Sequence, residues 1–266
     1  MPNHDSAISA LSFSPDESQL LSVGGHTAVL WDVKTRKMIR QVRGPQDLTA
    51  GLILPDGKAA FFATRYGHVL RWDLSKSEAE EVKGFGCRAN LVPPERQRLD
   101  PAKRCVSGFY ELHGDQPICF YPVTQLVRRG DQVARACLEG TVGIMDLATR
   151  RVRWSNIAGV LGSLTFVGQD LLLFGRRDGE LRLWQIAEKK VAGSLIPGVR
   201  STASASDGTL VAVASPKKIR IWRKGQPQVA GAVTVPRPVV WLSLKQGELR
   251  ALLDDGRLVS HPLKVE

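Results

Sequence analysis

Four cysteines and five histidines are the residues of this 266-residue chain best suited to hold a metal or to act as nucleophiles. Cys87, Cys105, Cys119 and Cys137 form no Cys-x-x-Cys pair and have no nearby histidine pair, so zinc is not expected. They read instead as buried free thiols in a reducing compartment. His4, His26, His68, His113 and His261 are scattered. His26 and His68 fall at strand-connecting turns, where a solvated side chain is expected. The stretch GLILPDGKA, residues 51–59, is superficially like a phosphate-binding loop. However, five residues separate Gly51 from Gly57, and Lys58 is followed by Ala59 where magnesium needs Ser or Thr. Pro55-Asp56-Gly57 reads as a hairpin turn. No G-x-S-x-G, H-E-x-x-H or calcium-loop pattern occurs.

The elements that would position such groups are short. Residues 8–14 (ISALSFS) alternate, PDES turns, and QLLSV at 19–23 is a second apolar run. GGH turns again into TAVLWDV at 27–33, and KTRK leads to MIRQV at 38–42. Period-two alternation cut by Gly, Pro and Asp predicts four β-strands in tight hairpins. Much the same run as TAVLWDV returns as HVLRWDL (68–74), TVGIMDL (141–147) and LRLWQIA (181–187). A catalytic group rarely needs copying along a chain, whereas a structural unit does. The marker place falls at Trp31, Trp72, Tyr110, Met145, Trp184, Trp222 and His261, at gaps of 41, 38, 35, 39, 38 and 39 residues. That period accounts for the whole length.

On these residues the chain resembles the WD-repeat β-propellers, built of four-stranded antiparallel blades around a channel. The resemblance implies an all-β fold, a single β-propeller across 1–266. It has seven blades, at about 7–46, 47–85, 86–122, 123–157, 158–196, 197–235 and 236–266, or six if the third unit is not a true blade. It also implies that the third-strand Trp packs between sheets, with Asp32, Asp73 and Asp146 as further markers of the repeat. Strand-one residues line the channel in such folds, and here they are nearly free of Asp and Glu. The Gly-His dipeptide that precedes the first strand in the family is missing from every unit. The turn Asp survives as Asp178 and Asp255, with Glu139 a partial substitute, while Gly25, Tyr66 and Pro216 stand there elsewhere. The His–Ser–Asp–Trp hydrogen-bond network is therefore expected in no blade. The third unit carries four prolines, and its second strand would fall on RLDPAKR, where proline removes a ladder donor. The last unit is expected to be three-stranded or completed by a partner chain.

The formal net charge of +11 is the one compositional oddity. It is compatible with acidic proteins, nucleic acid or anionic lipid as partners. The turns between third and fourth strands carry Lys34, Arg36, Lys37, Arg150, Arg151, Lys189, Lys190, Arg223 and Lys224. Those between second and third carry Arg65, Tyr66, Arg176, Arg177, Lys217 and Lys218. The second set, with the Pro-rich segment 93–104, is the expected partner-binding surface; the first is a basic rim. No catalytic, cofactor or metal residues are expected. The function that follows is a non-catalytic protein–protein interaction scaffold, the proteins bound being acidic. The alternative is RNA or DNA association through the basic rim, weak because aromatic residues make up only 6%. A channel-centred metal-dependent hydrolase or lactonase is the remaining reading. No run approaches the ~18 apolar residues of a membrane span, and the start lacks a secretory signal, so a cytoplasmic location is expected.

Overall fold

In the computed structural model the described residues are 4–87, 90–91, 109–113, 116–156, 161–169, 171–176, 181–188, 190–196, 202–226, 228–245 and 247–263. They form strands and turns only. The chain divides into two compact units, Met1–Ala158 and Gly159–Glu266.

The first unit opens with a four-stranded sheet of β1 (Ile8–Phe13), β2 (Gln19–Gly24), β3 (Thr27–Asp32) and β4 (Met38–Arg43). A second follows with β5 (Leu48–Ile53), β6 (Ala59–Thr64), β7 (Val69–Asp73) and β8 (Ala79–Glu81). Each pairs in sequence order, antiparallel, as hairpin turns of two to five residues dictate. A third sheet has three strands, β9 (Asn90–Leu91), β10 (Phe109–His113) and β11 (Gln116–Phe120), in the order β10-β11-β9. The fourth returns to the sequential plan with β12 (Val123–Arg129), β13 (Gln132–Cys137), β14 (Thr141–Asp146) and β15 (Val152–Asn156).

β6, AAFFAT, is buried on both faces, and its two faces have different neighbours. Ala60 and Phe62 join Leu21, Val23 and Leu30 of the first sheet. Ala59, Phe61 and Ala63 join Val123, Leu126, Val133 and Met145 of the fourth. The second sheet is thus sandwiched between the first and the fourth, and the third does not come between them. Hydroxyls repeat that order. The first strand of each of these sheets has an irregular register near its start, at Ile8/Ala10, Leu48/Ala50 and Val123/Gln125. At two of those bulges Ser9 Oγ donates to Leu48 O at 2.9 Å, and Thr49 Oγ1 donates to Val123 O at 2.6 Å. The bulge re-aims the side chain out of the ladder and onto the next sheet.

The second unit holds a sheet of β16 (Leu161–Val167), β17 (Leu171–Arg176), β18 (Leu181–Gln185) and β19 (Lys190–Ile196). Next comes β20 (Ala203–Ser206), β21 (Leu210–Ser215), β22 (Lys218–Arg223) and β23 (Val229–Thr234), and last the three-stranded β24 (Val239–Lys245), β25 (Glu248–Leu253) and β26 (Leu258–Pro262). β21 alternates as β6 does. Leu210, Ala212 and Ala214 face the last sheet, and Val211 and Val213 the preceding one with Val167 and Leu181.

Among the described residues, then, there are five four-stranded sheets and two of three strands. The described residues of 86–122 contribute the three-stranded sheet β10-β11-β9, while the second and fourth sheets pack directly on each other. The RLDPAKR stretch and segment 93–104 lie outside the described residues. The last sheet has three strands among the described residues. His4 hydrogen-bonds to Gly24 at the end of β2, and Asp5 to His26 in the turn that follows.

The repeat markers do pack where they are large and apolar. Trp72, Trp222, Trp184 and Met145 are buried, while Trp31 is half-buried. Filling the space between two sheets with an indole removes ~200 Å² from water. His261 departs from this pattern: it sits at the equivalent register opposite Leu249 but is exposed. Tyr110 holds the marker place in β10 opposite Cys119.

Candidate functional site

The acidic residues that recur after the markers close turns. Asp32 Oδ1 accepts from Thr35 N at 2.6 Å and Thr35 Oγ1 at 2.8 Å. Asp146 does the same with Thr149, both at 2.8 Å. Asp73 accepts from Ser75 N at 3.0 Å and Ser75 Oγ at 2.7 Å. These bonds favour the ionised carboxylate and hold all three below the usual aspartate value. The carboxyl of Asp16, bonded to Ser14 and Ser18 in the first turn, is lowered to about 2. Residue four of two such turns, Arg36 and Arg150, adopts positive φ of 58° and 56°. The turn geometry forces that conformation on a side chain that ordinarily avoids it.

Three members of the network expected in no blade, His, Ser and Trp, are linked in the first. Trp31 Nε1 donates to Ser22 Oγ at 2.7 Å, and His4 Nε2 lies 2.8 Å from the same oxygen. His4 Nδ1 is 3.2 Å from Gly24 O, which can only accept, so Nδ1 carries the hydrogen. With the imidazole neutral, Ser22 accepts from Trp31 and donates to His4. The missing turn aspartate is replaced from outside the turn. Asp5 Oδ1 accepts from His26 N at 3.2 Å, over Gly25, whose added Cβ would lie 1.9 Å from that oxygen. Gly25, with φ of 53°, is small because Asp5 needs its place. The sequence carried the signal as His4-Asp5 without a preceding glycine. Elsewhere the Trp finds other arrangements: Trp72 Nε1 donates to Lys76 O at 3.0 Å, and Trp222 Nε1 is buried with no hydrogen-bond partner.

Of the expected partner-binding residues, Arg65 is 3.6 Å from Asp47, which also lies 3.3 Å from His26, and Tyr66 packs edge-on against Phe120 at 5.4 Å. Both contacts lie within the first unit. Arg176 ends β17, and Arg177 lies outside the described residues. Lys217 and Lys218, at the β21–β22 turn, are exposed and in no ion pair among the described residues. Of the basic rim, Lys190 pairs with Glu188, Arg223 is half-buried, Lys224 is exposed and Lys189 lies outside the described residues. Lys34, Arg36, Lys37, Arg150 and Arg151 are exposed, again in no ion pair among the described residues. Beside Arg150 a 620 Å³ groove runs between the second and fourth sheets, lined by Pro55, Asp56, Arg71, Lys83 and Asp131.

The cysteines correct the sequence reading. Cys87 and Cys137 are joined in a disulfide, their Cα atoms 5.9 Å apart across 50 residues of chain. Cys119 is also disulfide-bonded. The second and fourth sheets, far apart in sequence, bring the first pair together by packing on one another. Against it lies Arg135, 1% exposed, at the place in β13 that Ser22 holds in β2. Its guanidinium donates to Phe85 O and Gly86 O, both at 2.9 Å, and to Thr141 O at 3.3 Å. It also contacts Cys87 Sγ at 3.5 Å and Cys137 Sγ, and stacks 4.3 Å from the Trp154 ring centroid. The carboxyl of Glu139 lies within 4.8 Å of both sulfurs, and burial raises it above the usual value.

The family model described as WD domain, G-beta repeat, matches residues 1–32, the stretch that contains His4, Ser22 and Trp31. Among solved structures, the β-propeller domain of Cps50 (Swd1) from Myceliophteria thermophila superposes with a TM-score of 0.69 at 18% identity. The match covers 99% of this chain and 85% of that one. No curated protein matches by sequence. The chain therefore has an all-β propeller fold of four-stranded antiparallel blades, and its first 32 residues are similar to a WD repeat. No helix among the described residues is long and apolar enough to cross a membrane.

Proposed function

We propose that this propeller is a non-catalytic interaction scaffold that binds acidic protein surfaces through its exposed basic turns. One observation carries the reading. The recurrent carboxylates Asp32, Asp73 and Asp146 are spent on closing their own turns, while the cations beside them, Lys34, Arg36, Lys37, Arg150 and Arg151, are left exposed and unpaired among the described residues. Positive charge held on rigid turns and not neutralised internally is available to a partner. In the second unit Lys217 and Lys218 have the same character. We propose six blades, three per unit, with the segment at 86–122 an insertion; the packing of β5 on β12 supports this count.

The test is quantitative co-purification from native extract with the wild type and with K34E/K37E/R150E, at low and at ~300 mM salt. Rim binding predicts that the triple variant loses at least tenfold of the protein bound by the wild type, and that salt releases it. Undiminished retention by the variant refutes the surface. Retention on a polyanion resin that survives ~200 mM salt would instead assign the same cations to nucleic acid.

A further inference from the structure

We infer that the Cys87–Cys137 disulfide is a thiol–disulfide exchange site that takes a dithiol reductant, with Cys87 Sγ the atom attacked and Arg135 holding the Cys137 thiolate that leaves. The two sulfurs differ in access: Cys137 is fully buried at 0% exposure, whereas Cys87 is partly exposed. An incoming thiolate therefore reaches Cys87. Arg135 Nη1 contacts both sulfurs, and the departing one is the nearer of the two. A cation at that distance lowers the affinity of a thiolate for its proton and makes it a faster leaving group.

The guanidinium is in place before the reaction. Three carbonyl oxygens and the Trp154 face hold it independently of the sulfurs. Opening the bond gives that buried cation an anionic sulfur as a neighbour, so the reduced form is stabilised by a group that pays no reorganisation. Glu139 acts in the opposite sense, since a carboxylate beside the same sulfur opposes the new negative charge.

The step balances as follows. One thiolate of the dithiol forms a bond to Cys87 Sγ, and the Cys87–Cys137 bond breaks with its electron pair going to Cys137 Sγ. The second thiol of the reductant loses its proton and attacks the mixed disulfide. The reductant leaves as its own cyclic disulfide, and Cys87 departs as a thiolate that takes up a proton. Two electrons pass from the dithiol to the protein, and Cys137 stays ionised beside Arg135.

Native protein in ~1 mM dithiothreitol is sampled over time, alkylated, and scored peptide by peptide for Cys87 and Cys137. Wild type is expected to open within minutes without denaturant. R135M, checked for folding by circular dichroism, should be about tenfold slower, and E139Q faster. Absorbance at 240 nm of the reduced protein should show a thiolate at neutral pH that R135M loses. If R135M does not fold, the E139Q rate and the wild-type thiolate decide. Opening that requires denaturant, or rates and thiolate absorbance indifferent to both substitutions, would overturn the assignment.

Discussion

Replacing Ser22 by alanine isolates the network that the first blade assembles. Ser22 is 3% exposed and serves two partners through one oxygen, Trp31 at 2.7 Å and His4 at 2.8 Å. Each bond contributes about 1 kcal/mol net, and a stranded indole N–H adds a further desolvation cost of about 1 kcal/mol where it stays shielded. The expected loss is about 2–3 kcal/mol. Ser204 is the internal control, because its buried Oγ has no hydrogen-bond partner. S204A should fall within about 0.5 kcal/mol of wild type. Urea unfolding of S22A, W31F, the S22A/W31F double variant and S204A measures all of this, with the cycle expected to show about 1 kcal/mol of coupling between Ser22 and Trp31. Equal effects of S22A and S204A, or a cycle that closes with no coupling, would refute the view that this network holds the blade.

Removing the disulfide as C87A/C137A should cost up to about 4 kcal/mol, the loop entropy of 50 residues, read as a lowered urea midpoint. V213T places a hydroxyl at the position in β21 that Ser22 holds in β2, giving Trp222 Nε1 an acceptor. It should unfold at or slightly above the wild-type midpoint, where a buried Val→Thr change ordinarily costs stability. G143A drives a methyl to 2.3 Å from the Trp154 ring, so it should displace the ring from Arg135 and lower the melting temperature by several degrees. The carboxyl of Asp16 is lowered on folding from 3.8 to about 2, with Asp32, Asp73 and Asp146 also lowered. Their contribution is complete above pH ~4 and is lost as pH falls through the folded values. Melting temperatures should drop between pH 4 and 2, and less steeply in D16N.

The strand positions were legible before any coordinates. ISALSFS, QLLSV, TAVLWDV and MIRQV became β1 to β4 within a residue or two, because alternation and turn residues act locally. The same holds for Trp72, Trp184 and Trp222 as packing residues. The residues read as a partner surface divided once placed. Arg65 lies beside Asp47 and Tyr66 packs on Phe120 at the end of β11, contacts that no spacing encodes. The His4–Ser22–Trp31 network was missed because the histidine arrives at His4 without its usual glycine.

By itself, then, the sequence determined what period-two patterning and turn chemistry determine: an all-β chain, four-strand units, bulky residues at the third strand and charged turns between them. Tertiary structure alone decided which sheets are neighbours. The second packs on the fourth because alternate residues of β6 need two apolar faces, and the fourth supplies one. That packing brings Cys87 to Cys137 and carries Arg135 to their sulfurs, since only the folded chain sets residues 50 apart within a bond length.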